Sequence, residues 1–163
     1  MSAKDLEQLE DDIKLLRDQL AGKRRTLVTI APEEQVRIEQ QIGELRKKIR
    51  NFEQEKWDLI AQLTSTSDIA NDEAEAIVAE IVADVANPPD DVSADILALL
   101  QNILAKLNEP DKNAAAKLKG AISLFPPFVS VIYEAELDTE STVRKYLPTF
   151  SKLTDKVRDR LKK

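Results

Sequence analysis

The chain contains no cysteine and no histidine. Without Cys there is no disulfide framework and no thiolate nucleophile. Without either residue, Ser-His-Asp and Cys-His systems are excluded, as are thiolate and imidazole zinc sites. Glycine is scarce: Gly22, Gly43 and Gly120 are isolated in helical surroundings, so no glycine loop can cradle a phosphate. Aromatic residues are few, with one Trp, two Tyr and four Phe, which together with the low glycine content disfavours a turn-rich β protein. No run approaches the roughly 20 apolar residues needed to cross a bilayer. Met1 to Leu16 is charged throughout and lacks the apolar centre of a signal peptide, so the expected location is cytoplasmic.

What is present is charge and aliphatic residues. Charged residues make up 33% and apolar residues 42% of the 163, a mix suited to helices with one buried stripe and one solvated face. The net charge of −6 is unevenly spread. Residues 1–56 carry 12 acids and 12 bases, residues 57–105 carry 10 acids and no base, and residues 138–163 carry 4 acids and 8 bases. The acidic middle repels nucleic acid and anionic lipid.

The strongest pattern lies in the first 64 residues. Leu6, Leu9, Ile13, Leu16, Leu20, Leu27 and Ile30 follow steps of three and four, with Lys23 in one seam position. Ile38, Ile42, Leu45, Ile49, Phe52, Leu59 and Leu63 form a second stripe, with Lys56 in its seam. The first stripe, continued past Pro32, lands on Glu34, Arg37 and Gln41, so the two are out of phase by one residue. A single straight helix would have to rotate its apolar face by about 100° there. Pro32 suits the first position of a new helix, and Glu33 and Glu34 suit its positive end. The pattern predicts antiparallel helices over 3–30 and 33–64. Val28, Val36, Trp57 and Ile60 lie off the main seams. Trp57 is the candidate joint between hairpin and remainder, with a place in the core weighed against an exposed anchor for a partner.

Residues 64–71 read as a break and capping cluster. Helices are expected over 72–86, 94–108 (capped by Ser93, widely apolar and central) and 111–124. Residues 129–133 could be helix, strand or irregular. A last helix starts near Asp138, interrupted by Pro148 near Leu147. The expected fold class is all-α: a long antiparallel coiled-coil hairpin (1–64) followed by a small helical bundle (65–163). Leu100 should tolerate Asp far less well than Leu9, placed toward a hairpin end expected to fray.

Asp90 and Asp91 form a carboxylate pair read as loop solvation rather than a magnesium site. No catalytic, metal or cofactor residue is assigned; the chain reads as a non-enzyme needing no cofactor. Candidate partner-binding residues are Trp57, Ile60, Lys152, Lys156, Arg158 and Arg160. The expected partner is protein, met through helical surfaces, with a homo-oligomer among the options and no nucleic acid. Two alternatives stand beside it. One is membrane docking by the uncharged segment 121–133 with the basic tail; the other is a structural coiled-coil assembly protein.

Leu27–Arg46 (LVTIAPEEQVRIEQQIGELR) and Phe52–Trp57 (FEQEKW) resemble the helical effector-associated modules of bacterial signalling proteins that carry STAND NTPases or caspase-like and CHAT proteases. Ala114–Pro127 (AAAKLKGAISLFPP), Tyr133–Ser141 (YEAELDTES) and Tyr146–Phe150 (YLPTF) look like a second segment of that neighbourhood. The chain has no NTPase, protease or sensor repeat. The resemblance implies an adaptor or recognition module with homotypic or heterotypic helical contacts, in a defence or cell-death pathway.

Overall fold

The computed structural model describes residues 3–66, 69–88, 90–125, 129, 145–149, 152 and 155. The fold is all-α, a long antiparallel hairpin followed by a small helical bundle. Among the described residues five helices run in the order α1 (Ala3–Thr29), α2 (Pro32–Thr66), α3 (Asn71–Ala86), α4 (Ala94–Leu107) and α5 (Ala114–Ile122). No helix among the described residues is long and apolar enough to cross a membrane.

The hairpin turns where the two stripes lose phase. Pro32 opens α2, and the Glu34 N–H donates to the Ala31 carbonyl at 2.9 Å, closing its first turn. Contacts between the arms fix their direction. Near the turn, Lys23 Nζ donates to Gln41 Oε1 at 2.7 Å; farther away, Arg17 Nη2 donates to Glu53 Oε1. Residues later in α1 thus meet residues earlier in α2. At 1.5 Å per residue, α1 is roughly 40 Å long and α2 roughly 50 Å. Leu6, Ile13, Ile38 and Ile49 are buried in the seam, and the other members of the first stripe and of the upper second stripe are half-buried. That is the thin burial expected when two helices cover only each other.

The main core lies at the base. Leu6 from α1 and Trp57, Leu59, Ile60 and Leu63 from α2 join Ile77, Ile81 and Val85 of α3, the apolar face of α4, and Leu118, Ala121 and Ile122 of α5. Helix α4 buries Ile96, Leu99, Leu100, Ile103 and Leu107, the arc that its sequence predicts. The Ile96 N–H donates to Ser93 Oγ at 3.3 Å, so the expected cap is in place. Hairpin base and bundle therefore share one apolar interior.

Four details differ from expectation. Helix α2 continues through Thr66, past the supposed break, because burial of Leu59, Ile60 and Leu63 holds that turn in the helix. Ala70 precedes α3 without a side-chain cap; Asn71 Nδ2 instead donates to Glu75 Oε1 at 3.1 Å. Helix α5 starts three residues late, at Ala114, because Asp111 has φ 65° and cannot continue a right-handed helix; Asn113 Oδ1 accepts from the Ala116 N–H at 2.8 Å. Leu9 packs against the main core rather than at a fraying end. The end remote from the bundle is the turn.

Of segment 129–137 only Val129 is described, helical and buried; the rest lies outside the described residues. Lys145 and Tyr146 are helical, Leu147 is not, and Pro148 and Thr149 are helical again, an interruption at the residue before the proline.

Candidate interaction surfaces

Trp57 and Ile60 are buried, at 5% and 1% exposure. Trp57 stacks on Phe125 with ring centroids 4.4 Å apart and planes 18° from parallel. It is the joint between hairpin and bundle. Its assignment, and that of Ile60, as partner-binding residues is corrected: the chain's own α5 region occupies the face that a partner would need. Both lie one residue beyond a seam position (Lys56, Leu59), and the sequence could not show that the bundle folds onto that side.

Lys152 is exposed, whereas Lys156, Arg158 and Arg160 lie outside the described residues. Asp90 and Asp91 are exposed in the turn between α3 and α4. The start of the last segment is tied to α3 by one carboxylate. Asp84 Oδ2 accepts from the Thr149 hydroxyl at 2.6 Å and from its N–H at 3.2 Å. Thr149 is itself buried, so this contact fastens a segment 65 residues away in sequence.

Among the described residues Glu53 is the other buried polar group, at 2% exposure, ion-paired with Arg17 beside the seam. Sequence reasoning placed Phe52 in the seam and passed over Glu53. The pair is not matched in distance from the turn: Arg17 lies 13 residues before Ile30 and Glu53 21 residues after Pro32. The α4–α5 loop holds a local ion-pair set: Glu109 meets Lys112 at 2.6 Å and Lys106 at 3.2 Å. Hydrogen bonds from Lys112 and then Lys106 hold the Glu109 carboxyl below its ordinary value. This partly exposed set orders a loop.

Among the described residues the large apolar side chains left most exposed are Leu15, Val28 and Val36. Two of them flank the hairpin turn, Val28 at 84% and Val36 at 63% exposure. With Ala31 and Pro32, also exposed, they make an apolar tip beyond the reach of the main core. Sequence reading noted that both valines lie off the seam but did not assign them a surface. Searches for a matching family model, a similar curated protein and a similar solved structure found none.

Proposed function

We propose that the chain is a non-catalytic protein-interaction module whose hairpin is the recognition element. The supporting observation is the uncovered tip. A surface valine pair at the end of an arm that covers only itself contributes nothing to the chain's own core, whereas it suits helix-to-helix recognition. The sequence offers no Ser-His-Asp or Cys-His set and no glycine loop for a phosphate. The resemblance of Leu27–Arg46 to effector-associated modules supports a place in a bacterial signalling assembly, in a cytoplasmic setting.

The membrane reading has less support. Ala121, Ile122, Phe125 and Val129, from the segment that would enter a bilayer, are buried in the main core. Presenting them to lipid would require opening that core. The test compares tagged unmodified chain with a Val28→Glu/Val36→Glu variant in co-purification from the native host, alongside flotation with anionic liposomes. Expected are partners retained by the unmodified chain and lost by the variant, with no flotation of either. Flotation of the unmodified chain without retained protein would overturn the proposal.

A further inference from the structure

Each arm of the hairpin carries a second stripe, one residue C-terminal to its seam. On α1 it is Ala21, Arg24, Val28 and Ala31, following seam positions Leu20, Lys23, Leu27 and Ile30. On α2 it runs in steps of four and three from Pro32 through Val36, Glu39 and Gly43 down to Glu53, Trp57 and Ile60. One residue is a rotation of about 100° in the same chain sense. The helices run in opposite directions, so equal rotations from facing seams bring both stripes to the same side of the hairpin.

Among the described residues that side is covered at one end only. At the base, Glu53, Trp57 and Ile60 are buried. Toward the tip, Ala21, Arg24, Val28 and Ala31 of α1 and Pro32, Val36, Glu39 and Gly43 of α2 are all exposed. A Cβ at Gly43 would meet nothing within 4 Å, so no contact within the chain calls for glycine there.

The open end is complementary to itself. The bond nearest the tip, Lys23–Gln41, sets the level there, whereas Arg17 farther down reaches Glu53 six residues beyond that count. By the count at the tip, Val28 is level with Val36, Ala21 with Gly43, and Arg24 within one residue of Glu39. On the exposed part of the face each arm carries one charge, Arg24 on α1 and Glu39 on α2; Arg46 and Arg50, lower on the α2 stripe, are half-buried. Among the described residues, neither Arg24 nor Glu39 makes an ion pair.

We propose that this face pairs with the same face of a second copy about a twofold axis parallel to the hairpin, forming a four-helix bundle at the tip. This inference rests on the recognition role proposed for the hairpin and names the partner. The axis lays α1 of one copy over α2 of the other. Val28 then meets Val36 of the second copy, Arg24 meets its Glu39, and Ala21 meets its Gly43, where small side chains let the backbones approach closely. Each contact occurs twice, as an isologous interface requires.

The test uses the full chain in sedimentation equilibrium, with Arg24→Glu, Glu39→Arg and Val28→Glu/Val36→Glu variants. The unmodified chain should dimerise. Each single charge reversal opposes like charges twice and should raise the dissociation constant at least about tenfold. An equimolar mixture of the Arg24→Glu and Glu39→Arg chains should recover the dimer, because every reversed residue then meets its opposite across the interface. A contact within one chain could not be rescued by mixing. The double valine variant should be monomeric with unchanged helical circular dichroism. A chain monomeric up to about 1 mM, weaker than a specific dimer would be, overturns the pairing, as does a dimer indifferent to these substitutions or a mixture that fails to recover. If the monomeric chain still retained a different protein through Val28 and Val36, the recognition role would stand and the self-pairing would fall.

Discussion

The outer hairpin and the bundle are both made of amphipathic helices, yet they bury them differently. Helix α4, 14 residues long, buries five large aliphatic side chains. Helix α1, nearly twice as long at 27 residues, fully buries only Leu6 and Ile13 among its described residues. The difference is the number of surfaces offered to each helix. Helix α4 packs between α3 and α5, whereas the outer part of α1 meets α2 alone among the described elements. At about 1.5–3 kcal/mol for each large side chain fully buried, the bundle carries the stability. The hairpin gains a long exposed surface instead. Seams of half-buried leucines leave side chains near water, and polar groups such as Lys23 and Gln41 can sit between them at little cost. A folded anchor and a weakly covered arm thus come from one chain.

The sharpest way to break this contrast is to place a charge in each region. Leu100→Asp puts an unpaired carboxylate where 3% of the residue is exposed and should cost about 4–5 kcal/mol. Leu27→Asp, half-buried near the tip, should cost about 1–2 kcal/mol because water reaches it. Thermal melts that lose equal stability would show that the hairpin is as deeply packed as the bundle.

Phe125→Ala probes the joint. Removing a fully buried aromatic ring should cost about 3–4 kcal/mol. Trp57 is the one tryptophan, so its emission reports the change directly. A red shift at temperatures where the helices remain folded is expected; unchanged emission would mean that the stack does not hold the hairpin to the bundle.

Next in size is the ion pair beside the seam. Arg17→Met leaves the Glu53 carboxylate buried without its cation. It should cost about 2 kcal/mol, less than the 3–5 typical of a fully buried pair because the Arg17 side chain is 29% exposed. Replacing both, as Arg17→Met with Glu53→Leu, should restore or exceed the original melting temperature. Additive losses in the double variant would assign the pair a net stabilising role.

The smallest effects belong to the outer surface. Gly43→Ala should stabilise the helix by about 0.5–1 kcal/mol, since the position is helical and its Cβ would meet nothing. Measurement at a concentration where the chain is monomeric isolates that term. Val28→Ser should change stability by less than about 0.5 kcal/mol, as for ordinary surface substitutions. A larger loss in denaturant titration would place Val28 in a packed core and contradict its 84% exposure.

The hairpin was legible because its evidence is local and repeated. Each seam residue is three or four positions from the next, and a one-residue phase shift at Pro32 forces a turn. The α4 arc and its Ser93 cap were legible for the same reason. Element ends were less so: Leu59, Ile60 and Leu63 extend α2 through a serine- and threonine-rich stretch that would end an isolated helix. Asp111, with its positive φ, delays α5 in a way that no propensity indicates.

The sequence by itself determined the helical class, the antiparallel turn and which side of each helix is apolar, because 3.6-residue periodicity and proline chemistry are properties of neighbouring residues. Only the tertiary structure decided which off-seam residues are covered. Trp57 and Val36 occupy the same heptad position on one face of α2, three heptads apart. Trp57 is buried under Phe125 and Val36 is open to solvent, since the bundle reaches the base of the hairpin and not its tip. Burial depends on how far a distant part of the chain extends along that face, a distance that no local pattern encodes.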